Sequence, residues 1–154
     1  YIQRIAQLTN KSNQFNLTTL RCSEDDIRAM AQNENVLCLC GRLVDKFGDN
    51  GIVTVVEGEQ QGDTLDLRLW LMSCRVLKRG MEDAMMDTLV AEAAARGVKT
   101  IVGHYYPTAK NAMVREFYAQ FGFAKAAEDA DGNTEWRLDV STYAPKHPHM
   151  KIER

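Results

Sequence analysis

The chain has 154 residues, 45% of them hydrophobic and 26% charged, with a formal net charge of −2 and a pI near 5.9. This is the composition of one ordinary globular domain with a sizeable core, and it excludes a global basic field for nucleic acid or an anionic membrane, so any cationic site is local. No apolar run approaches the ~20 residues that span a bilayer, and the start lacks the charged and apolar segments of a secretory signal, so a cytoplasmic location is expected.

The chain opens on Tyr1 rather than Met, which is the expectation for a fragment of something longer. Residues 1–14 are polar around an Ile-Ala-x-Leu patch and read equally as a short helix or as a linker from an upstream domain. Phe15 to Arg21, FNLTTLR, alternates and is rich in Thr, which suggests a first strand. Ser23 with Asp26 three residues on predicts a capped helix start for SEDDIRAMAQ, ended by Asn33 to Asn35. Val36 to Phe47 reads as a strand with a possible bulge at Gly41, Gly48 to Gly51 as a hairpin turn, and Ile52 to Glu59 as the returning strand. Gln60 to Asp63 turn again into a strand from Leu65.

The stretch 65–97 organises the rest. Leu65, Leu67, Leu69 and Leu71 alternate with other residues, a period of two that predicts four leucines on one strand face. From Met81 the period becomes helical, through Ala84, Met85, Thr88 and Leu89, and Gly97 reads as the stop. Between them lies Ser73-Cys74-Arg75-Val76-Leu77-Lys78-Arg79-Gly80, three cations ahead of a helix N-terminus, whose free N–H groups and partial positive charge suit a phosphate. A solvated basic loop is the competing reading. Val98 to Tyr106 follows as a buried strand, so strand, long helix and strand make a βαβ unit whose strands run parallel and splay at their C-terminal ends. Asn111 opens a helix to Gly122 with Val114, Phe117, Tyr118 and Phe121 at helical spacing. Phe123 to Glu128 and Thr134 to Thr142 form a closing hairpin around Ala130 to Asn133, and residues 143–154 are a polar tail.

Isolated chemical motifs are weak. His147 and His149 lack further ligands nearby, Asp129-Ala130-Asp131-Gly132 lacks the rest of a calcium loop, and His104 reads as a structural histidine. Cys22, Cys38, Cys40 and Cys74 make no paired CxxC set, so reduced thiols are expected and no metal. Cys74 stands beside Arg75 ahead of a helix start, where a thiol pKa falls, and is a candidate for chemistry.

The element order and the helix Asn111-x-x-Val114-x-x-Phe117-Tyr118-x-x-Phe121-Gly122-Phe123 resemble the GNAT acyltransferases. That resemblance implies an α/β fold, a mixed sheet of about six to seven strands with flanking helices, as one domain over 1–154. A closer resemblance spans QFNLTT at 14–19, DKFGDNG at 45–51, WLMSCRVLKRGME at 70–82 and PTAKN at 107–111. These are similar to the C-terminal domain of FkbH-like proteins, which join an upstream haloacid-dehalogenase-type domain to a GNAT-like one and supply glyceryl groups to an acyl carrier protein. The resemblance implies a phosphopantetheine thioester on an acyl carrier protein, or coenzyme A, held by Met72, Ser73, Cys74, Arg75, Val76, Arg79, Gly80 and Asn111. It makes Tyr118 the acid that protonates the departing thiolate. Where GNAT enzymes read Arg-Gly-x-Gly-x-Gly/Ala, this chain has Arg79-Gly80-Met81-Glu82-Asp83-Ala84, and carboxylates in a first helical turn repel a pyrophosphate more than a single phosphodiester. Two rivals stand beside this acyltransferase reading: a carrier-protein docking module with Tyr118 as core, and a conventional acetyl-coenzyme A N-acetyltransferase.

Overall fold

The computed structural model describes residues 2–11, 16–18, 23–45, 48–73 and 81–145. Two helices come first, α1 (Ile2–Lys11) and α2 (Glu24–Gln32). The capping expectation for α2 holds: the Ser23 hydroxyl accepts the Asp26 N–H at 3.1 Å, and the Asp26 carboxylate accepts the Ser23 N–H at 2.9 Å. The expected strand at 15–21 is replaced, over the described residues 16–18, by an isolated bridge from Asn16 to Leu71.

Among the described residues six strands form one mixed sheet in the order β1-β2-β3-β4-β6-β5. They are β1 (Val36–Asp45), β2 (Gly48–Gln61), β3 (Thr64–Met72), β4 (Thr100–Tyr105), β5 (Ala124–Glu128) and β6 (Thr134–Asp139). The first hairpin reverses earlier than the glycines suggest, because Asp45 already pairs with Gly48 and the Gly48 to Gly51 segment belongs to β2. The expected irregularity at Gly41 is present, with Val53 of β2 as the extra residue, since Gly41 pairs with Thr54 and Arg42 with Ile52. The long helix α3 (Met81–Ala95) joins β3 to β4, which pair in parallel as the βαβ pattern requires.

One face of the sheet is covered by α3 and by residues 112–123, the other by α1 and α2. Leu65, Leu67, Trp70, Met72, Met86 and Leu89 belong to the first core, and Ile5, Leu8, Ile27, Val55, Leu69 and Leu71 to the second. The four leucines of β3 therefore do not share a face. Gly58 of β2 pairs with Leu67 and Glu57 with Leu69, leaving Arg68 as an extra residue that flips the alternation. A bulge of this kind bends its strand and increases the local twist.

The helix expected over 111–122 is two short 3-10 turns, Ala112–Val114 and Tyr118–Phe121. Its hydrogen bonds reach back three residues, Phe117 N–H to Val114 at 3.1 Å and Gln120 N–H to Phe117 at 3.2 Å. The spacings 114 to 117 and 118 to 121 suit that tighter repeat, so the expected apolar residues are buried all the same. Gly122 ends it at φ 89°, a left-handed conformation that glycine adopts without strain.

Candidate functional site

The parallel ladder between β3 and β4 is short. Its last pair is Asp66 with Val102, while β3 runs on to Met72 and β4 to Tyr105, so the two strands part into a fork. The Arg68 bulge falls just beyond that last pair, and a bulge bends and twists its strand locally.

Residues 16–18 bridge the fork. The Leu17 N–H donates to the Trp70 carbonyl at 3.0 Å and the Leu17 carbonyl accepts the Tyr106 N–H at 2.8 Å. The Thr18 hydroxyl donates to the Arg68 carbonyl at 2.8 Å. Leu17 is fully buried in the α3-side core, a burial that contributes about 2 kcal/mol.

Asn111, the residue that the resemblance assigns to the pantetheine arm, is fully engaged with protein groups. Its amide nitrogen donates to the carbonyls of Asn16 at 3.0 Å and Tyr106 at 2.9 Å. Its oxygen accepts the Thr108 N–H at 2.7 Å and the Tyr105 hydroxyl at 3.2 Å. Both donors and both lone pairs are used, and they tie the 106–111 loop to the strap of residues 16–18.

Tyr118 lies on the α3 side of the fork, among Trp70, Phe117 and Phe123, with ring centroids 6.4, 5.4 and 4.9 Å away. Its ring sits against Gly103 of β4, where an added Cβ would come within 2.5 Å of the Tyr118 Cζ, so no larger residue is accommodated there without movement. Burial, and secondarily the charge of Asp66, push the phenol pKa above its ordinary value. The shift keeps the phenol protonated and makes it a weaker acid, so it donates only to a group whose own basicity is raised in the same way, such as a thiolate forming in the same desolvated place. Met72 is buried in the same core, and the Ser73 N–H donates to the Val53 carbonyl at 2.7 Å. Cys74, Arg75, Val76, Lys78, Arg79 and Gly80 lie outside the described residues, as do His147 and His149. Glu82 and Asp83 occupy the first turn of α3.

On the opposite face, at the mouth of the fork, is a cavity of about 670 Å³. Glu57, Asp66, Arg68 and His104 line it from the strands, Tyr106 from just past the end of β4, Met30 and Asn33 from α2 and its cap, and Thr18 from the strap. His104 and Asp66 are held 2.6 Å apart, imidazole Nε2–H to carboxylate Oδ1, on a diagonal across the last paired residues of β3 and β4. The hydrogen bond to Asp66 raises the imidazole pKa, helped by the charges of Asp66 and Glu135 and opposed by burial. The sequence reading left His104 structural. A signal was available, because a parallel pair with Asp66 beside Val102 places His104 two residues on, upon the same face.

Asp66→Asn is expected to move the His104 titration midpoint down toward the ordinary imidazole value of ~6.5, read from ring-proton NMR. Because the folded value is raised, the pair's contribution to stability is fully present below that ordinary value and is lost as pH rises through the folded one. An unmoved midpoint would show that Asp66 does not set the histidine's charge. Among the described residues no three His, Cys, Asp or Glu side chains form a metal-binding group, and no helix is long and apolar enough to cross a membrane.

The sheet order, the forked parallel pair and the flanking helices are those of the GNAT acetyltransferase fold. No protein-family model matches the sequence, and no curated protein matches it. Among solved structures, a ribosomal-protein alanine N-acetyltransferase from Escherichia coli is similar at 18% identity and a TM-score of 0.67, over 97% of this chain and 93% of that one. The GNAT domain of S. lividans PAT is similar at 16% identity and 0.67, over 90% and 84%. PaiA N-acetyltransferase from Thermoplasma acidophilum, solved in complex with coenzyme A, is similar at 14% and 0.62, over 76% and 71%. Likeness at this level of identity establishes the fold.

Proposed function

We propose that this domain is a GNAT-type acyltransferase that takes a small acyl group from a thioester and delivers it to an acceptor seated in the cavity beside the fork. The observation that carries this reading is the meeting of three things at one place: the parting of β3 and β4, the buried Tyr118 phenol on one face, and the His104–Asp66 pair in the cavity on the other. In this reading the thioester carbonyl lies in the fork, His104 takes the acceptor's proton as it attacks, and Tyr118 gives its proton to the departing thiolate. The tetrahedral intermediate then collapses with loss of the thiol.

The thioester we favour is a glyceryl or other small hydroxyacyl group on the phosphopantetheine arm of an acyl carrier protein, presented with an upstream haloacid-dehalogenase-type domain in the cytoplasm. The family resemblance supports this choice, and so does the start of α3, where Glu82 and Asp83 suit one phosphodiester better than the pyrophosphate of coenzyme A. Coenzyme A remains the alternative donor, as in the neighbours solved with it. For either arm to enter the fork, residues 16–18 must withdraw, and the arm's amides then take over the backbone groups of Trp70 and Tyr106.

The occupied fork favours a second reading, a docking module that binds a carrier protein and transfers nothing. Release of free thiol from glyceryl-carrier protein and from acetyl-coenzyme A, followed colorimetrically with a primary amine and a polyol offered in turn as acceptor, and with the domain alone and together with the proposed upstream domain, separates the two. Thiol release above the uncatalysed rate, lost in His104→Gln, is the expected result. Carrier-protein binding without thiol release would leave the docking module as the better reading.

A further inference from the structure

We propose that the Glu57 carboxylate is a recognition site for a small aliphatic ligand that offers it two hydrogen-bond donors, either one ammonium group or neighbouring hydroxyls of a polyol. This rests on the reading that the acceptor occupies the cavity, and names what the acceptor must carry.

Glu57 stands in β2 directly after the β-branched run Ile52 to Val56, and it is fully buried. Neither of its carboxylate oxygens has a hydrogen-bond partner among the described residues. Its natural partner is close by and otherwise employed: Arg68, the bulge residue next to Leu69 across the ladder, reaches Glu59 at 3.0 Å. Burial accordingly pushes the Glu57 pKa up, against the pull of the Arg68 charge.

A buried carboxylate without a protein partner opposes folding, and an apolar residue of similar size would be no worse for the fold. The group also lines the cavity of about 670 Å³, within the range of small-molecule sites. An ionised carboxylate accepts and never donates, so its complement is a pair of N–H or O–H groups; a carbonyl, carboxylate or phosphate is repelled. The rest of the lining agrees. Asp26 and Asp66 add negative charge, while Arg68 is paired with Glu59 and His104 with Asp66, so no unpaired cation in this lining invites an anion. Met30 and Val36 offer apolar surface for the ligand's carbon skeleton.

The test is saturation-transfer NMR on the full chain with no thioester present, using propylamine, glycerol and acetate as probes. Propylamine or glycerol is expected to bind the wild type, about tenfold more weakly or not at all in Glu57→Gln and Glu57→Leu, with acetate silent throughout. Both variants are expected to melt at or above the wild-type temperature, which certifies their folding. Binding of propylamine alone identifies an ammonium site and of glycerol alone a polyol site. Equal binding by the variants, or no binding of either probe to the wild type, overturns the proposal. Because no thioester is used, the outcome is independent of whether acyl transfer occurs.

Discussion

Asn111→Ala is expected to lower the melting temperature by roughly 10 °C, the largest effect of any single polar substitution proposed for this domain. The change deletes four hydrogen bonds at one fully buried side chain. It takes a partner from the Asn16 and Tyr106 carbonyls and from the Thr108 N–H, while the Tyr105 hydroxyl keeps the Asn111 backbone carbonyl at 3.4 Å. An orphaned buried group costs about 1–3 kcal/mol, and water entering the small void recovers part of that, so a net loss on the order of 3–4 kcal/mol is reasonable. For a domain of this length each kcal/mol moves the midpoint by about 2–4 °C. Scanning calorimetry measures it directly. A drop of only about 2 °C, the cost of an ordinary surface amide, would mean that the loop and the strap are held by something else.

The second large effect is on rate. Tyr118→Phe keeps the ring that packs against Trp70, Phe117, Phe123 and Gly103 and deletes only the hydroxyl. If the phenol protonates the thiolate, thiol release falls by about 10²–10⁴-fold, on the order of 3–5 kcal/mol of barrier, while the melting temperature hardly changes. A structural hydroxyl would instead show itself as about 1 kcal/mol of lost stability at unchanged rate. Carrier-protein affinity should be the same in both proteins. The assay belongs on the domain with the proposed upstream domain present, and an unaltered rate would remove Tyr118 from the chemistry.

Much of the fold was legible from local patterns. The capped start of α2, the meander, the βαβ unit and the closing hairpin all follow from short-range chemistry, and all are present. The phase flip in β3 was missed because leucine continues at every second position through the bulge. The sequence did carry a sign of it: before Arg68 the alternate residue Asp66 is polar, while after it Trp70 and Met72 are apolar, which is the composition of a strand buried on both faces. The strap was illegible for a different reason. FNLTT has strand composition, but its described part pairs with two strands distant in sequence, through single hydrogen bonds that no local period encodes. Glu57 was passed over inside its strand, since whether a buried carboxylate has a partner depends on where a neighbouring Arg points, and Arg68 points to Glu59.

The strap across the fork also sets how any arm is admitted. A site that must open before it binds has its apparent affinity reduced by the fraction of molecules that are open. An opening cost of about 2 kcal/mol leaves roughly one molecule in thirty receptive, so a free thioester reaches the fork with an affinity about thirtyfold below its intrinsic one. A thioester delivered on a folded carrier is under a different constraint, because contacts made by the carrier's own surface add to the binding energy and offset the same opening step. Under the proposed reaction, three residues of chain would thus discriminate between two donors bearing the same arm, by the size of what is attached to it and without touching the acyl group.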